Sequence, residues 1–317
     1  MKHLQLQMHL TRYAEMRKAM GYKFGVEPSL LQQFVRFLGS QDGSRPIRAA
    51  MALEWATSAS PACGRVGQVQ RLTVARQFLI YLKAFLPETE IPAPGLLAEE
   101  RRPRPYLYSA EEIVRMQQGT RTLWEPGGLK QITFETLIGL LASTGLRIGE
   151  ALRLTLGDLH LDSDPPHLEI RNTKFGKSRF VPVHPSTAQH LRLYLDKRQG
   201  IVGDKPEALF LLRPRKPLQY SSAQAYFRQI TRAAGVPKNP PGRRGPGWHS
   251  LRHTFAVRRM LEWYRAGADV RSLLPNLAVY LGHVGPAQTY HYLTAAPELL
   301  GAAAGMFEGY ANAGGAQ

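Results

Sequence analysis

In Thr144-Gly145-Leu146-Arg147-Ile148-Gly149-Glu150-Ala151-Leu152-Arg153-Leu154 one helix stops and another begins. Thr144-Gly145 breaks the preceding helix, so Arg147 falls at the N-terminus of the next, where free amides and the helix dipole favour an anion. At about 100° per residue, Arg147 and Glu150 share a face with Leu154, while Ile148 and Leu152 point elsewhere into a core. An Arg three residues before a Glu is also a commonplace surface pair, so the segment alone does not specify a site.

Working outward, Ser109-Ala110-Glu111-Glu112 is a capping box that starts a helix, and a second helix runs over about 131–143. Strand patterns follow at 159–161, 167–171 and 179–183, the one β-rich part of the chain. Lys174-Phe175-Gly176-Lys177 lies between the last two and reads as a hairpin tip. Helices return at 187–198 and 221–234, and a Pro/Gly/Arg-rich loop, 237–247, precedes another. Upstream, the first ~85 residues read as helices only, at about 4–20, 30–38, 47–56 and 66–85; Leu6, Leu10, Tyr13 and Met16 form the stripe of the first. Between these halves, Pro87, Pro92, Pro94 and Arg101-Arg102-Pro103-Arg104-Pro105 mark a linker, since proline removes backbone donors and holds the chain extended.

Two further segments carry chemistry. Trp248-His249-Ser250-Leu251-Arg252-His253-Thr254-Phe255 sets His249 and Arg252 at i,i+3, with Leu251 and Phe255 as the stripe that seats the helix. A His and an Arg on one face can move a proton and neutralise a phosphate. Tyr280-Leu281-Gly282-His283 is followed by Pro286, which opens a helix reaching Tyr290-His291-Tyr292. Tyr290 and Tyr292 lie about 200° apart on it, so only one can face a pocket. Each segment alone has a bland reading: a capping His beside a surface Arg, or a core Tyr.

In this order and spacing, Thr144-Gly145-Leu146-Arg147-Ile148-Gly149-Glu150, His249-x-Leu251-Arg252-His253, Leu281-Gly282-His283 and Tyr292 nine residues later resemble the tyrosine recombinase (phage integrase) family. The resemblance covers roughly 106–293, and the helical front half is similar to that family's core-binding domain. It implies a mainly α fold: an N-terminal all-helical core-binding domain (1–90), a linker (91–105), an α-rich catalytic domain with a small antiparallel β-sheet (106–296), and a C-terminal tail (297–317) that docks on a neighbouring protomer.

The implied activity is site-specific cleavage and rejoining of DNA, as in integration or transposition, through a 3′-phosphotyrosyl intermediate, with no cofactor, metal or ATP. Tyr292 is the implied nucleophile, with Tyr290 as the other candidate. Arg147 and Arg252 hold the non-bridging oxygens, His249 assists proton transfer, His283 supports the phosphate or the tyrosine, and Glu150 orients the arginine motif. The family's hairpin lysine, a general acid, falls on Lys174 or Lys177, with Lys174 preferred because it begins the turn. Glu262-Trp263-Tyr264-Arg265 and Leu274-Pro275-Asn276-Leu277 form a longer insertion before His283 than many members show. The implied partners are double-stranded DNA and further protomers, as a tetramer on synapsed DNA, or sister recombinases. The alternatives are an inactive DNA-binding regulator on the same scaffold and a metal nuclease built on Asp158, Asp162 and Asp164.

Composition agrees with a polyanionic partner. Among 317 residues, 41 Lys and Arg against 24 Asp and Glu leave a charge of +17, and 30 of the basic residues are Arg, whose planar fork matches phosphate. The excess is +6 over 1–97 and +11 over the rest, as in a protein that clamps a duplex from two sides. An apolar share of 44% fits a globular core, and no apolar run reaches the roughly 18–20 residues of a membrane span. The N-terminus lacks a signal-peptide pattern. Cys63 is the single cysteine, which excludes an internal disulfide and a Cys-rich zinc site and suits a reducing cytoplasm, with the protein on the nucleoid.

Overall fold

The computed structural model describes residues 2–22, 27–41, 46–58, 63–98, 104–171, 178–203, 206–238, 240, 245–283, 289 and 292. The chain divides into two compact units, Met1–Arg102 and Pro103–Gln317.

The first unit is built from α1 (Lys2–Ala19), α2 (Glu27–Ser40), α3 (Ala49–Thr57) and α4 (Gly64–Lys83). Each turns one stripe inward, Leu6, Leu10 and Tyr13 from α1 meeting Phe34, Val35, Trp55, Phe78 and Leu82. Met16, expected in the α1 stripe, is instead 40% exposed: at this spacing Tyr13 is the last residue of the buried face. Residues 91–98, which read as linker, lie against this unit. Leu97 joins its core, and Arg76 donates to the Pro92 carbonyl at 3.0 Å. Proline removed the donors but left the carbonyls, and arginine side chains use them.

The second unit opens with α5 (Ala110–Leu123), whose Ser109 capping box forms in both halves, and α6 (Leu129–Thr144). A helical turn α7 (Ile148–Ala151) and a 3₁₀ turn (Leu156–Asp158) lead into the antiparallel sheet of β1 (Leu159–His160), β2 (His167–Ile170) and β3 (Arg179–Pro182), in that order. Ile170 pairs with Arg179 and His167 with Pro182. Then come α8 (Pro185–Val202), β4 (Leu211–Arg213), β5 (Lys216–Pro217), α9 (Tyr220–Ala233), α10 (Trp248–Arg265) and α11 (Val270–Leu281). The fold is mainly helical with small antiparallel sheets, as the sequence implies.

Two elements depart from the sequence reading. The β4–β5 ribbon was not expected, because its strands are too short for alternation to be visible. The segment read as a longer insertion before His283 is regular structure: Glu262–Arg265 completes α10, and Leu274–Leu277 sits inside α11 despite Pro275. Val270, Leu274, Leu277 and Leu281 recur at helical spacing and bury against Phe255, Val257 and Met260 of α10. This packing fixes the end of α11 beside the start of α7. Among the described residues no helix is long and apolar enough to cross a membrane.

Candidate active site

The site is built around two chain reversals. The first ends α6 at Gly145, whose φ of +63° is the left-handed conformation that glycine adopts most readily. A Cβ there would stand 2.5 Å from Cδ1 of Phe255, so glycine is also what lets α6 end against α10. Arg147 follows as the residue preceding α7, and its backbone N–H donates to Oε2 of Glu150 at 3.0 Å. The sequence suggested a longer helix with Arg147 presented to an outside anion. The actual element is one turn; Leu154 has left it and accepts from the Leu209 N–H at 2.8 Å.

Glu150 is the hub. Its side chain is 3% exposed, yet each oxygen takes two donors. Oε1 accepts from Nη1 of Arg147 at 2.8 Å and Nη1 of Arg179 at 3.2 Å; Oε2 accepts from the Arg147 backbone at 3.0 Å and Nη2 of Arg179 at 3.0 Å. Burial alone would raise the carboxyl's pKa, but the Arg179 fork and charge, then the Arg147 bonds, override it and bring it down to about 2. Glu150 is therefore an anion throughout the neutral range.

The second reversal is the end of α11. Gly282 has a φ of +66°, and the N–H groups of Gly282 and His283 close back on the Val279 and Ala278 carbonyls at 2.9 Å each. The next three carbonyls, which a helix leaves without partners, all accept from arginines. Tyr280 O takes Nε of Arg179 at 2.9 Å, Leu281 O takes Nη2 of Arg252 at 2.6 Å and Nη1 of Arg147 at 3.5 Å, and Gly282 O takes Nη2 of Arg147 at 3.1 Å. The negative end of the helix dipole thus gathers three cations. Arg252, fully buried on α10, also donates to the Gly145 carbonyl at 2.9 Å, which ties the second reversal to the first. Burial and the neighbouring Arg147 charge lower its pKa to about 10, against the raising influence of Tyr292 and Glu150, so it stays protonated at neutral pH.

Tyr292 completes the cluster and is 3% exposed. The His283 and Tyr292 rings stack with centroids 5.9 Å apart, and Nδ1 of His283 is 2.8 Å from Oγ1 of the buried Thr289. Burial, then repulsion from Arg252, Arg147, His249 and Arg179, lowers the His283 pKa to about 4, so the ring is neutral at pH 7. His253 meets Tyr292 edge-on at 5.3 Å and the exposed His249 at 4.5 Å.

Six of the sequence candidates, Arg147, Glu150, His249, Arg252, His283 and Tyr292, therefore meet around the end of α11. Lys174, Lys177 and Tyr290 lie outside the described residues. Two residues were missed. Arg179 shares the inner face of β3 with the buried Val181, so strand alternation already placed a cation where only a buried acid could satisfy it. His253 stood inside a quoted motif with nothing to separate it from a helix-face histidine.

Two aspartates of the nuclease alternative are taken up by other partners. Asp158 accepts from the Thr155 N–H and hydroxyl at 2.8 Å each and pairs with Arg171, while the 96% exposed Asp162 pairs with Arg192. Among the described residues no group of three or more His, Cys, Asp or Glu could hold a metal. A cavity of about 680 Å³ between α5, α6 and α8, against Gln131, Glu135 and His190, includes none of the six clustered residues in its lining.

The model of the phage integrase family matches residues 109–298. A Sinorhizobium fredii protein named as an integrase/recombinase, y4rB, is 38% identical over 294 residues, covering 91% of this chain and 92% of its own. The fold is similar to that of the XerH site-specific recombinase bound to a palindromic difH substrate, with a TM-score of 0.66 at 19% identity over 89% of this chain and 79% of the other. A lambda integrase tetramer bound to a Holliday junction gives 0.64 at 18% identity, over 89% and 78%.

Proposed function

Since the chain belongs to the phage integrase family and is a tyrosine-type site-specific recombinase, we propose that Tyr292 opens the DNA strand, with the arginines gathered at the end of α11 holding the scissile phosphate. One observation carries this assignment: Arg147 and Arg252 share the Leu281 carbonyl, and Tyr292 packs on His283 within the electrostatic reach of Arg252.

Tyr292 Oη attacks phosphorus as the bond from phosphorus to the 5′-oxygen breaks, giving a 3′-phosphotyrosyl link and a 5′-hydroxyl. The covalent link conserves the phosphodiester, so rejoining needs no ATP. Arg147 and Arg252 pair with the non-bridging oxygens and stabilise the charge that builds on them. His249 assists transfer of the phenolic proton, and His283, whose ring is neutral, supports the phosphate or the tyrosine. Lys174 supplies the proton that the departing 5′-oxygen needs. Glu150 orients Arg147.

Double-stranded DNA is the partner, and the basic excess in both halves of the sequence favours binding by both. The assembly on synapsed DNA is a tetramer, like that of the lambda integrase bound to a Holliday junction, with the 297–317 tail docked on a neighbour. The protein works in the cytoplasm on the nucleoid, carrying out integration or transposition. Nothing in the comparisons favours an inactive regulator.

The test uses nicked duplexes cut from the DNA flanking the gene, incubated with the protein in EDTA and run on a denaturing gel. A covalent adduct is expected, and it is lost in Tyr292→Phe. An adduct that survives there and disappears in Tyr290→Phe moves the nucleophile. Adduct formation abolished by EDTA turns the reading toward a metal nuclease.

A further inference from the structure

We infer that Arg179, on β3, is a positioning residue of this recombinase: it locks Glu150 in place, and through Glu150 it sets Arg147 for the phosphate. The inference rests on the reading of Arg147 given above and adds a residue that reading did not contain.

Arg179 is 12% exposed, and each of its three guanidinium nitrogens is committed. Two go to the two oxygens of Glu150 at 3.2 and 3.0 Å, and Nε goes to the Tyr280 carbonyl at 2.9 Å. This is the bidentate fork that only arginine makes, with a third bond at right angles in function: it joins the sheet to the last turn of α11. The chain then passes directly over the guanidinium, since a Cβ on Gly282 would stand 2.8 Å from Nη1. One side chain thus connects β3, the Glu150 turn and the backbone that delivers the Leu281 and Gly282 carbonyls to Arg147 and Arg252.

An ordinary structural salt bridge would not need this geometry. Glu150 has room for about four donors, and all four are supplied by Arg147 and Arg179. With Arg179 gone, two of the four positions open. The carboxylate can then rotate, and the Arg147 side chain, itself 36% exposed, loses the fixed partner that aims it. Arg147 and Arg179 face Glu150 directly; Arg252 acts on it from α10, and Arg153, Asp158, Glu169 and Arg171 line the hollow beside it. Arg179 is the only one of these that approaches with both guanidinium ends. Without it, burial dominates, and Glu150 takes up a proton at a higher pH than before.

The experiment has two parts, the first independent of catalysis. In full-length protein labelled with ¹³Cδ-glutamate, the Glu150 carboxyl, identified by its loss in Glu150→Gln, is followed by NMR against pH. Wild type should hold it ionised down to about 2, and Arg179→Gln should bring its titration upward by at least one unit. In the second part, single-turnover adduct formation is measured on the nicked flanking-DNA duplex from about pH 4 to about pH 8. Arg179→Gln should cut the rate by about a hundredfold with duplex affinity nearly unchanged, and add an acid limb that disappears with Glu150→Gln, beyond whatever limb the histidines give wild type. In a Glu150→Gln background the same change should cost nothing further.

Arg179→Lys, which keeps the charge without the fork, should show the same limb at a smaller loss, and it stands in if Arg179→Gln does not fold. A wild-type rate with an unaltered pH profile would overturn the inference. So would a loss that is uniform with pH and additive with Glu150→Gln. Failure of wild type to form any adduct, with the NMR shift present, would instead sink the functional reading and leave the contact itself standing.

Discussion

Gly282→Ala separates the two demands made on one residue. The first is conformational: at a φ of +66° an alanine costs about 1–2 kcal/mol, partly offset because alanine has less unfolded-state freedom to lose. The second is contact. The new Cβ would lie 2.8 Å from Nη1 and 2.9 Å from Cζ of Arg179, whereas ordinary contact begins at 3.4 Å, so the guanidinium must retreat by roughly 0.6 Å. Its bonds to Glu150, at 3.2 and 3.0 Å, have no slack for that. Losing one charge-assisted bond costs about 1.5–3 kcal/mol, so the total after the offset should be about 2–4 kcal/mol.

Gly267, just past the end of α10, is the control: its φ is +68°, and nothing lies within 4 Å of its would-be Cβ. Gly267→Ala should cost about 1 kcal/mol and leave DNA cleavage alone. The assay is urea unfolding of the second unit by tryptophan fluorescence, beside adduct formation. Arg179→Ala should abolish the excess cost of Gly282→Ala, a coupling of about 2 kcal/mol. Equal losses in the two glycine variants, or strict additivity with Arg179→Ala, would refute the contact argument.

Three further outcomes follow from the same geometry. Glu150→Gln leaves the poorly exposed Arg179 facing a neutral amide and should lower stability by about 3–5 kcal/mol in urea titrations at pH 7. His283 has a folded pKa of about 4, below its unfolded value, so the unfolded state binds more protons between the two. Its contribution is complete above the unfolded pKa and is lost as pH falls: the urea stability should drop by about 1–2 kcal/mol from pH 7 to pH 5, and His283→Gln should flatten that slope. Finally, a chain of charge +17 that neutralises about 6–10 phosphates should lose about 10³–10⁵ in duplex affinity between 50 and 200 mM salt, read from fluorescence anisotropy.

Much of this was legible in the sequence because it obeyed short-range rules. The Ser109 box forms as written, and the helices came from a period that burial enforces. The residues that cluster at the end of α11 were legible as motif members, though their geometry was not. Arg147 and Glu150 were placed on one face of a helix, which was correct for the pair and wrong for the element: α7 is a single turn because the chain must leave it to lay Leu154 beside Leu209. That requirement comes from contacts some fifty residues away, and no local pattern carries it. The helix through Pro275 shows the opposite case, since a residue that locally disfavours helix is carried by the packing of Leu274 and Leu277 on α10. Arg179 was hidden for a third reason. Its partners, Glu150 and the Tyr280 carbonyl, come from two distant segments, and only the fold brings them together.

The charges within this cluster also bear on which state of the DNA it favours. Arg147, Arg179 and Arg252 bring three positive charges and Glu150 removes one, before the partial negative charge at the end of α11 is counted. A phosphodiester carries one negative charge and leaves the cluster in excess, whereas the five-coordinate state that the proposed attack by Tyr292 would form carries about two and comes close to neutrality. Carbonyls and a buried carboxylate fix the arginines beforehand, so little reorganisation remains for the moment of reaction, which is the condition under which fixed charge lowers a barrier. On this argument a cation added to the cluster should tighten DNA binding without accelerating cleavage, while removing Arg252 should slow cleavage far more than it weakens binding. The ratio of those two losses, measured on one duplex, distinguishes complementarity to the transition state from general attraction to a polyanion.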